Sequence, residues 1–379
     1  MRIVILANVQ WPRFGIDAGG ALHAFEVASR LRVRHDVTVV VPAFVRSAVA
    51  ARYPELTLAV TPVPRGIARS TIAVQLWSVG NWLAVIRTIL RADAIFAASH
   101  FLGDVVPLLA CGGRKVVVVH HVIEPPQRRA GPFVTNAMHY AGERFGLAFV
   151  ARLATTVLTS SRLVERQLRS FGFRMPIAVT VNAPRSLPDQ APPAVWDEER
   201  CEAIYLGRLA PTKGLETLLR AWQRVVAVRS DARLTIVGGG SDAYRSELER
   251  LARELRIVDR LSFTGRVSDE RKERLLRSHR IFVFPSHEEG FGIALVEAMR
   301  AGLPCVTFDL EVFRELFPRG RVAVETGNME ALADAMLLLL EDSAERERLA
   351  AQAQHLAAIY TWSRAAQITA VALGGTPAS

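Results

Sequence analysis

Cysteine is scarce in this chain. The three present, Cys111, Cys201 and Cys305, lie far apart, with no CxxC pair and no His/Cys cluster. That excludes a disulfide-stapled scaffold and a thiolate zinc site, and leaves reduced thiols in a cytosolic protein as the expectation. No apolar run reaches the roughly 18 residues of a membrane-spanning helix. The opening stretch, MRIVILANVQW, has too short an apolar run for a secretory signal and no cleavage pattern, which again points to the cytoplasm. RNP, zinc-finger and basic-zipper patterns are missing, so no nucleic-acid partner is expected. IVGGGS (236–241) lacks the GxGxxG spacing and its following acid, and reads as a strand-end turn rather than a dinucleotide site.

What is present is a globular composition: 379 residues, 50% hydrophobic and 22% charged, enough for two domains with full cores. The net charge of +10 is unevenly spread. Up to Asn182 there are 21 basic and 9 acidic residues, a net of +12; from Ala183 on there are 26 and 28, a net of −2. A basic first half suits an anionic substrate or an anionic membrane surface.

The first half alternates short β-branched runs with helical spacing. RIVILAN (2–8), DVTVVVP (36–42), AIFAAS (94–99), KVVVVHH (115–121), TVLTSS (156–161) and IAVTVN (177–182) read as strands. GGALHAFEVASRLR (19–32) reads as a helix, and so does STIAVQLWSVGNWLAVIRTILRAD (70–93), whose two tryptophans and flanking arginines suit either core packing or a membrane-facing surface. A proline-rich stretch, 183–199, breaks the rhythm as a linker. The second half resumes it. Strands are expected at 202–208, 233–239, 261–266, 281–286, 304–308 and 321–325, helices at 214–228, 242–256, 270–279 and 290–301, and a helical tail over 328–373. Continuous apolar strands alternating with helices imply parallel sheets covered on both faces. The expected fold class is therefore α/β, two Rossmann-like doubly wound domains facing a cleft: 1–182, the linker 183–199, 200–360, and a final helix, 361–379, crossing back to the first domain. Such sheets bind ligands at the carboxyl ends of their strands.

FPSHEEGFGIALVEAM (284–299) is strand, loop, helix. Gly290 and Gly292 let backbone amides approach a ligand at a helix start, where a phosphate is attracted. Glu289 and Glu297 would repel a phosphate unless the ligand also carries hydroxyls, which carboxylates accept from. A nucleotide sugar has both, with Glu297 on the ribose diol and Glu289 on the sugar. The other reading is a loop acid facing the helix dipole and an ordinary helix glutamate. LGRLAPTKG (206–214) adds Arg208 and Lys213 on another strand-to-helix loop, two cations suited to a departing diphosphate.

Taken in order, these stretches resemble the GT-B retaining glycosyltransferases of family 4, the glycosyl transferases group 1. Arg208 and Lys213 stand in a GRLxxxKG-like element. PSHEEGFGIALVEAMRAGLPCV (285–306) is similar to the family segment with the E-x7-E motif, Glu289 and Glu297 taking the two acidic positions. DAGGALHAFEVASRL (17–31) resembles the Gly-rich loop, with Gly19 and Gly20 toward donor phosphates or acceptor. VVVVHH (116–121) resembles the strand ending in a sugar-contacting histidine, His120 being the better candidate and His121 the next. VTVNA (179–183) resembles IPNG, with Asn182 in the Asn position. The resemblance implies a retaining, metal-independent hexosyltransferase-type transfer, with no cofactor and a UDP- or GDP-type sugar as donor substrate. Arg208, Lys213, Glu289 and His120 would be catalytic; Gly19, Gly20, Gly265, Gly290, Phe291, Gly292 and Glu297 would bind the donor. The acceptor would be a sugar or glycan, a lipid-linked compound or a small molecule, and a lipid-linked acceptor would place the protein peripherally on the inner face of the membrane. Two places depart from the pattern. Ala183 replaces the usual Gly, and DLEVFRELFPRG follows Phe308 where a Gly-Gly loop is usual, leaving Glu315 as candidate for that loop's glutamate. The alternatives are a sugar-nucleotide epimerase or phosphorylase on the same fold, or a nucleic-acid-binding protein using the basic half.

Overall fold

A computed structural model describes residues 1–8, 19–64, 71–123, 125–126, 133–185 and 201–375. The chain divides into two compact units, one formed by Met1–Ala183 together with the chain from Thr361 onward, the other by Pro184–Tyr360. Most of the linker stretch, from 186 to 199, lies outside the described residues.

The first unit runs β1 (Arg2–Leu6), α1 (Gly19–Leu31), β2 (Asp36–Pro42), α2 (Arg46–Arg52), β3 (Thr57–Thr61), α3 (Thr71–Asn81), α4 (Ile86–Leu90), β4 (Ala94–Ala97), α5 (Leu102–Val105), β5 (Arg114–Val119), α6 (Phe133–Leu153), β6 (Thr156–Thr159), α7 (Arg162–Ser170) and β7 (Ile177–Val179). All strand pairs are parallel, in the order β3-β2-β1-β4-β5-β6-β7. Both faces are covered, so the strands carry unbroken apolar runs rather than alternation: Val116 to Val119 are all fully buried. Val4, Leu6, Ile95, Ala97, Val117, Val119 and Val157 point to one face. There they meet Val85, Ile89, Val105, Leu108, Leu147, Val150, Val164 and Leu168 from the helical segments between β3 and β7.

The second unit runs β8 (Cys201–Leu206), α8 (Leu215–Val228), β9 (Leu234–Val237), α9 (Asp242–Glu254), β10 (Leu261–Gly265), α10 (Asp269–Arg277), β11 (His279–Phe284), α11 (Ile293–Arg300), β12 (Cys305–Phe308), α12 (Glu311–Leu316), β13 (Arg321–Val324), α13 (Met329–Glu341) and α14 (Ser343–Ala357). Its parallel sheet is ordered β10-β9-β8-β11-β12-β13. Helix α15 (Trp362–Ala372) belongs to the first unit, where the Trp362 ring meets His23 of α1 edge-on at 5.6 Å. Two parallel-sheet α/β units bear out the expected two-domain α/β class.

The expectation of one helix over 70–93 is corrected. The chain is helical to Asn81, tightens into a 3-10 turn over Trp82–Val85, and resumes as α4. Asn81 is held at this point by Asn8, whose side-chain amide donates to Asn81 Oδ1 at 2.7 Å. The same amide group reaches the Ser78 carbonyl at 3.2 Å, so the helix is tied to the carboxyl end of β1 there. Strand β3 and helices α2, α5, α6, α7 and α12 have no counterpart in the sequence reading; most are short or lack a clean period. Ala183 carries no strain, because Arg256 is the one non-glycine residue with positive φ among the described residues.

Candidate functional site

Strands β8 and β11 are neighbours at the point where the second sheet's order reverses, and they run parallel. Their carboxyl-terminal loops therefore leave the same edge side by side, at the topological switch point where doubly wound sheets hold ligands. The first loop carries Arg208 and Lys213, the second Glu289, Gly290, Phe291 and Gly292. The two interlock: His287 N–H donates to the Thr212 carbonyl at 2.9 Å.

Gly214 makes the interlock possible. It sits at φ 68°, between the 3-10 turn that ends at Lys213 and the first residue of α8. A Cβ there would fall 1.9 Å from the Pro285 carbonyl oxygen. Only glycine supplies both the left-handed backbone and the room.

Across this junction Lys213 Nζ contacts Glu289 Oε1 at 2.5 Å, each side chain 11% exposed. Its other contacts are longer, 3.3 Å to the Glu288 carbonyl and 3.5 Å to Ser286 Oγ. The ammonium has three donors, so the two long contacts are those that an arriving anion can displace. Arg208 is exposed, and its carbonyl accepts from the Tyr205 hydroxyl at 2.9 Å. Burial, with Glu289 nearby, pushes that hydroxyl well above its ordinary pKa and keeps it a donor.

Glu297 lies on α11, buried, and pairs with Lys272 of α10 at 2.6 Å. Lys272 also contacts Asp269 at 3.0 Å, and Asp269 reaches Arg185 at 3.4 Å. Burial disfavours the Lys272 charge, but the Glu297 and Asp269 carboxylates outweigh it and hold the ammonium above its usual pKa. Lys272 is the residue the sequence reading missed. A signal was available: only three of the chain's 47 basic residues are lysines, and two of them, Lys213 and Lys272, each bind one glutamate of the E-x7-E pair.

The remaining expected donor residues are spread around this edge. Gly292 caps α11 at φ 98°. Phe291 is buried, its ring edge-on to Phe317 (5.9 Å) and Tyr360 (5.3 Å), so its side chain is an anchor for the loop and only its backbone is left for a ligand. Gly265 ends β10, two strands from β8, and its carbonyl accepts from Gly238 N–H at 3.0 Å. Glu315 is placed on α12.

In the first unit, Gly19 and Gly20 open α1 and His120 follows β5. Gly20 lies close to the histidine: a Cβ there would stand 3.2 Å from His120 Nε2. Burial, reinforced by His23, His121 and His100, drives the His120 pKa well below its ordinary value. His23 packs edge-on to His120 at 5.5 Å, and its Nδ1 donates to Asn182 Oδ1 at 2.8 Å. Burial lowers its pKa to about 4, against the opposing effect of the Asn182 bond. Neither His23 Nε2 nor His120 Nε2 has a partner among the described residues. Among those residues no three of His, Cys, Asp and Glu come together as ligands for a metal ion.

Residues 188–356 match the family described as Glycosyl transferases group 1. The chain is 34% identical over 219 residues to a phosphatidyl-myo-inositol mannosyltransferase of Mycobacterium leprae, covering 56% of each chain. It thus spans about half the length of the curated relatives that it matches. Among solved structures it is similar to HepE of Anabaena, solved with UDP and glucose, at a TM-score of 0.76 and 19% identity over 99% of both chains. It is also similar to sucrose-phosphate synthase of Thermosynechococcus elongatus, at a TM-score of 0.78 and 17% identity over 98% of both. The fold is the two-domain Rossmann-like GT-B fold.

Proposed function

We propose that this chain acts as a member of the glycosyl transferases group 1, transferring a sugar from a nucleoside-diphosphate sugar to a lipid-linked acceptor, with retention at the anomeric carbon and without an essential metal. One observation carries this reading: the Arg208–Lys213 loop and the Glu289–Gly292 loop meet at one switch point, locked by the Lys213–Glu289 pair.

A diphosphate at this edge faces Lys213, Arg208 and the start of α11. As the bond from the anomeric carbon to the diphosphate oxygen breaks, negative charge builds on the leaving group and the two cations stabilise it. Glu289, with one oxygen held by Lys213, keeps the other for a sugar hydroxyl. Glu297 is oriented by Lys272 toward the ribose diol. The acceptor hydroxyl attacks from the face that the diphosphate leaves, and its proton passes to the departing phosphate, so no protein nucleophile is needed. In the first unit, the unpartnered His120 Nε2 beside Gly20 offers a hydrogen-bonding atom to a sugar hydroxyl. The donor is of UDP or GDP type, and no cofactor is called for. The lipid acceptor is supported by the name of the mycobacterial relative and by the basic first half; it places the protein peripherally at the inner face of the membrane.

Thermal unfolding with UDP, GDP and their sugar conjugates tests the donor site. One diphosphate raises the melting temperature, and Arg208→Ala with Lys213→Ala abolishes most of the rise. A wild-type chain unmoved by every nucleotide sinks the reading. With the donor identified, NMR of the product shows a retained anomer, and turnover persists in chelator.

A further inference from the structure

We infer that the outer face of the helices between β3 and β7 lies on an anionic lipid bilayer, with the exposed stripe of α6 set into its interface. Eighteen large apolar side chains are exposed among the described residues, and eleven of them lie between Leu76 and Phe171. That segment supplies the helices packed on a single face of the first sheet.

Helix α6 is the centre of the patch. Val134, Met138, Phe145 and Phe149 recur at a spacing that puts them on one side, and Val134 and Phe145 are 69% and 66% exposed. Asn136, Glu143, Leu147 and Val150 are buried on the opposite side. The stripe runs about 22 Å at 1.5 Å per residue. An ordinary surface helix is polar outside; this one is apolar there, and its one acid faces inward. Glu143 accepts from Ile123 N–H at 2.9 Å and contacts His100 at 3.2 Å. The stripe therefore ends on exposed Arg152 with no carboxylate along it. Earlier in the same part of the chain, Leu76 and Trp77 of α3 are exposed, as are Arg87 of α4 and Arg91 just after it. An apolar stripe that ends on an arginine, on the half of the chain with the net charge of +12, complements acidic headgroups over acyl chains. The inference rests on the lipid acceptor proposed above for its purpose, and its test is separate from donor binding.

The experiment is sedimentation of the full chain with vesicles of phosphatidylglycerol and, separately, of phosphatidylcholine. The chain partitions onto phosphatidylglycerol, less onto phosphatidylcholine, and high salt weakens binding. Val134→Asp with Phe145→Asp lowers the partition coefficient by about tenfold or more, and Arg152→Glu lowers it by less. Both variants keep the nucleotide-induced thermal shift, which shows that they fold. If the wild type ignores both vesicles, or the double variant binds as well as the wild type, the inference fails. It fails too if the wild type sediments as a dimer that the double variant breaks, because the stripe then belongs to a second copy of this chain. A missing nucleotide shift alongside intact vesicle binding overturns the transfer reading and leaves this one standing.

Discussion

Lys272 Nζ stands 2.6 Å from Glu297 Oε1 and 3.0 Å from Asp269 Oδ1, one ammonium between two carboxylates on different helices. It fixes a glutamate that would otherwise be a buried, uncompensated charge. Lys272→Met is expected to cost about 3 kcal/mol, the usual consequence of removing one partner of a buried pair. Lys272→Met with Glu297→Gln should regain much of that loss. Urea unfolding of the four proteins in the cycle gives the coupling; additive losses would show that the pair is not energetically linked.

At the other glutamate, Lys213→Ala should cut turnover by about 100-fold, the scale of losing one preorganised charge at a leaving group. Lys213→Arg should recover little, since the ammonium sits in a tight socket between Ser286, Glu288 and Glu289. Steady-state kinetics with a donor found by thermal shift checks both.

Gly214→Ala should lower stability by about 2 kcal/mol or more, from the positive φ and the collision with the Pro285 carbonyl. It should also weaken nucleotide binding, because the two loops must part. Gly172→Ala is the control: it has a similar positive φ, 83°, but open space around it. Melting temperatures of the two should differ, with Gly214→Ala the lower.

Acid should destabilise the first unit through His23. Its folded pKa of about 4 lies below the ordinary 6.5, so the folded state holds it neutral against Asn182, His120, Phe96 and Trp362. Its contribution is complete above pH 6.5 and is lost as pH falls toward 4, because there the unfolded chain takes up a proton that the folded chain refuses. The loss approaches about 3 kcal/mol, at about 1.4 kcal/mol for each pH step of one between the unfolded and folded pKa. Between pH 6.5 and about 4.5, His23→Gln should lose stability with a shallower slope than the wild type.

Much of the fold was legible because parallel strands buried on both faces leave continuous β-branched runs. Val116–Val119 and Ile281–Phe284 announce themselves, and their polar ends mark the ligand edge. The neighbouring placement of the Lys213 and Glu289 loops followed from strand order. What the sequence hid depends on side-chain direction in space. Glutamates read as hydroxyl acceptors are each also tied to a lysine, one of them on a helix with no motif of its own. Phe291, within the glycine motif, turns inward. Helix α6 reads as weakly patterned because apolar residues occupy both its sides, and only burial separates Leu147 from Phe145.

Trp362 closes over His23 after the entire second unit has been synthesised. The side of α1 that α15 covers, with His23 on it, thus stays open on a growing chain while its own sheet is already complete. During translation the first half is a nearly finished layer awaiting its last helix, and that interval is when a chaperone would find it.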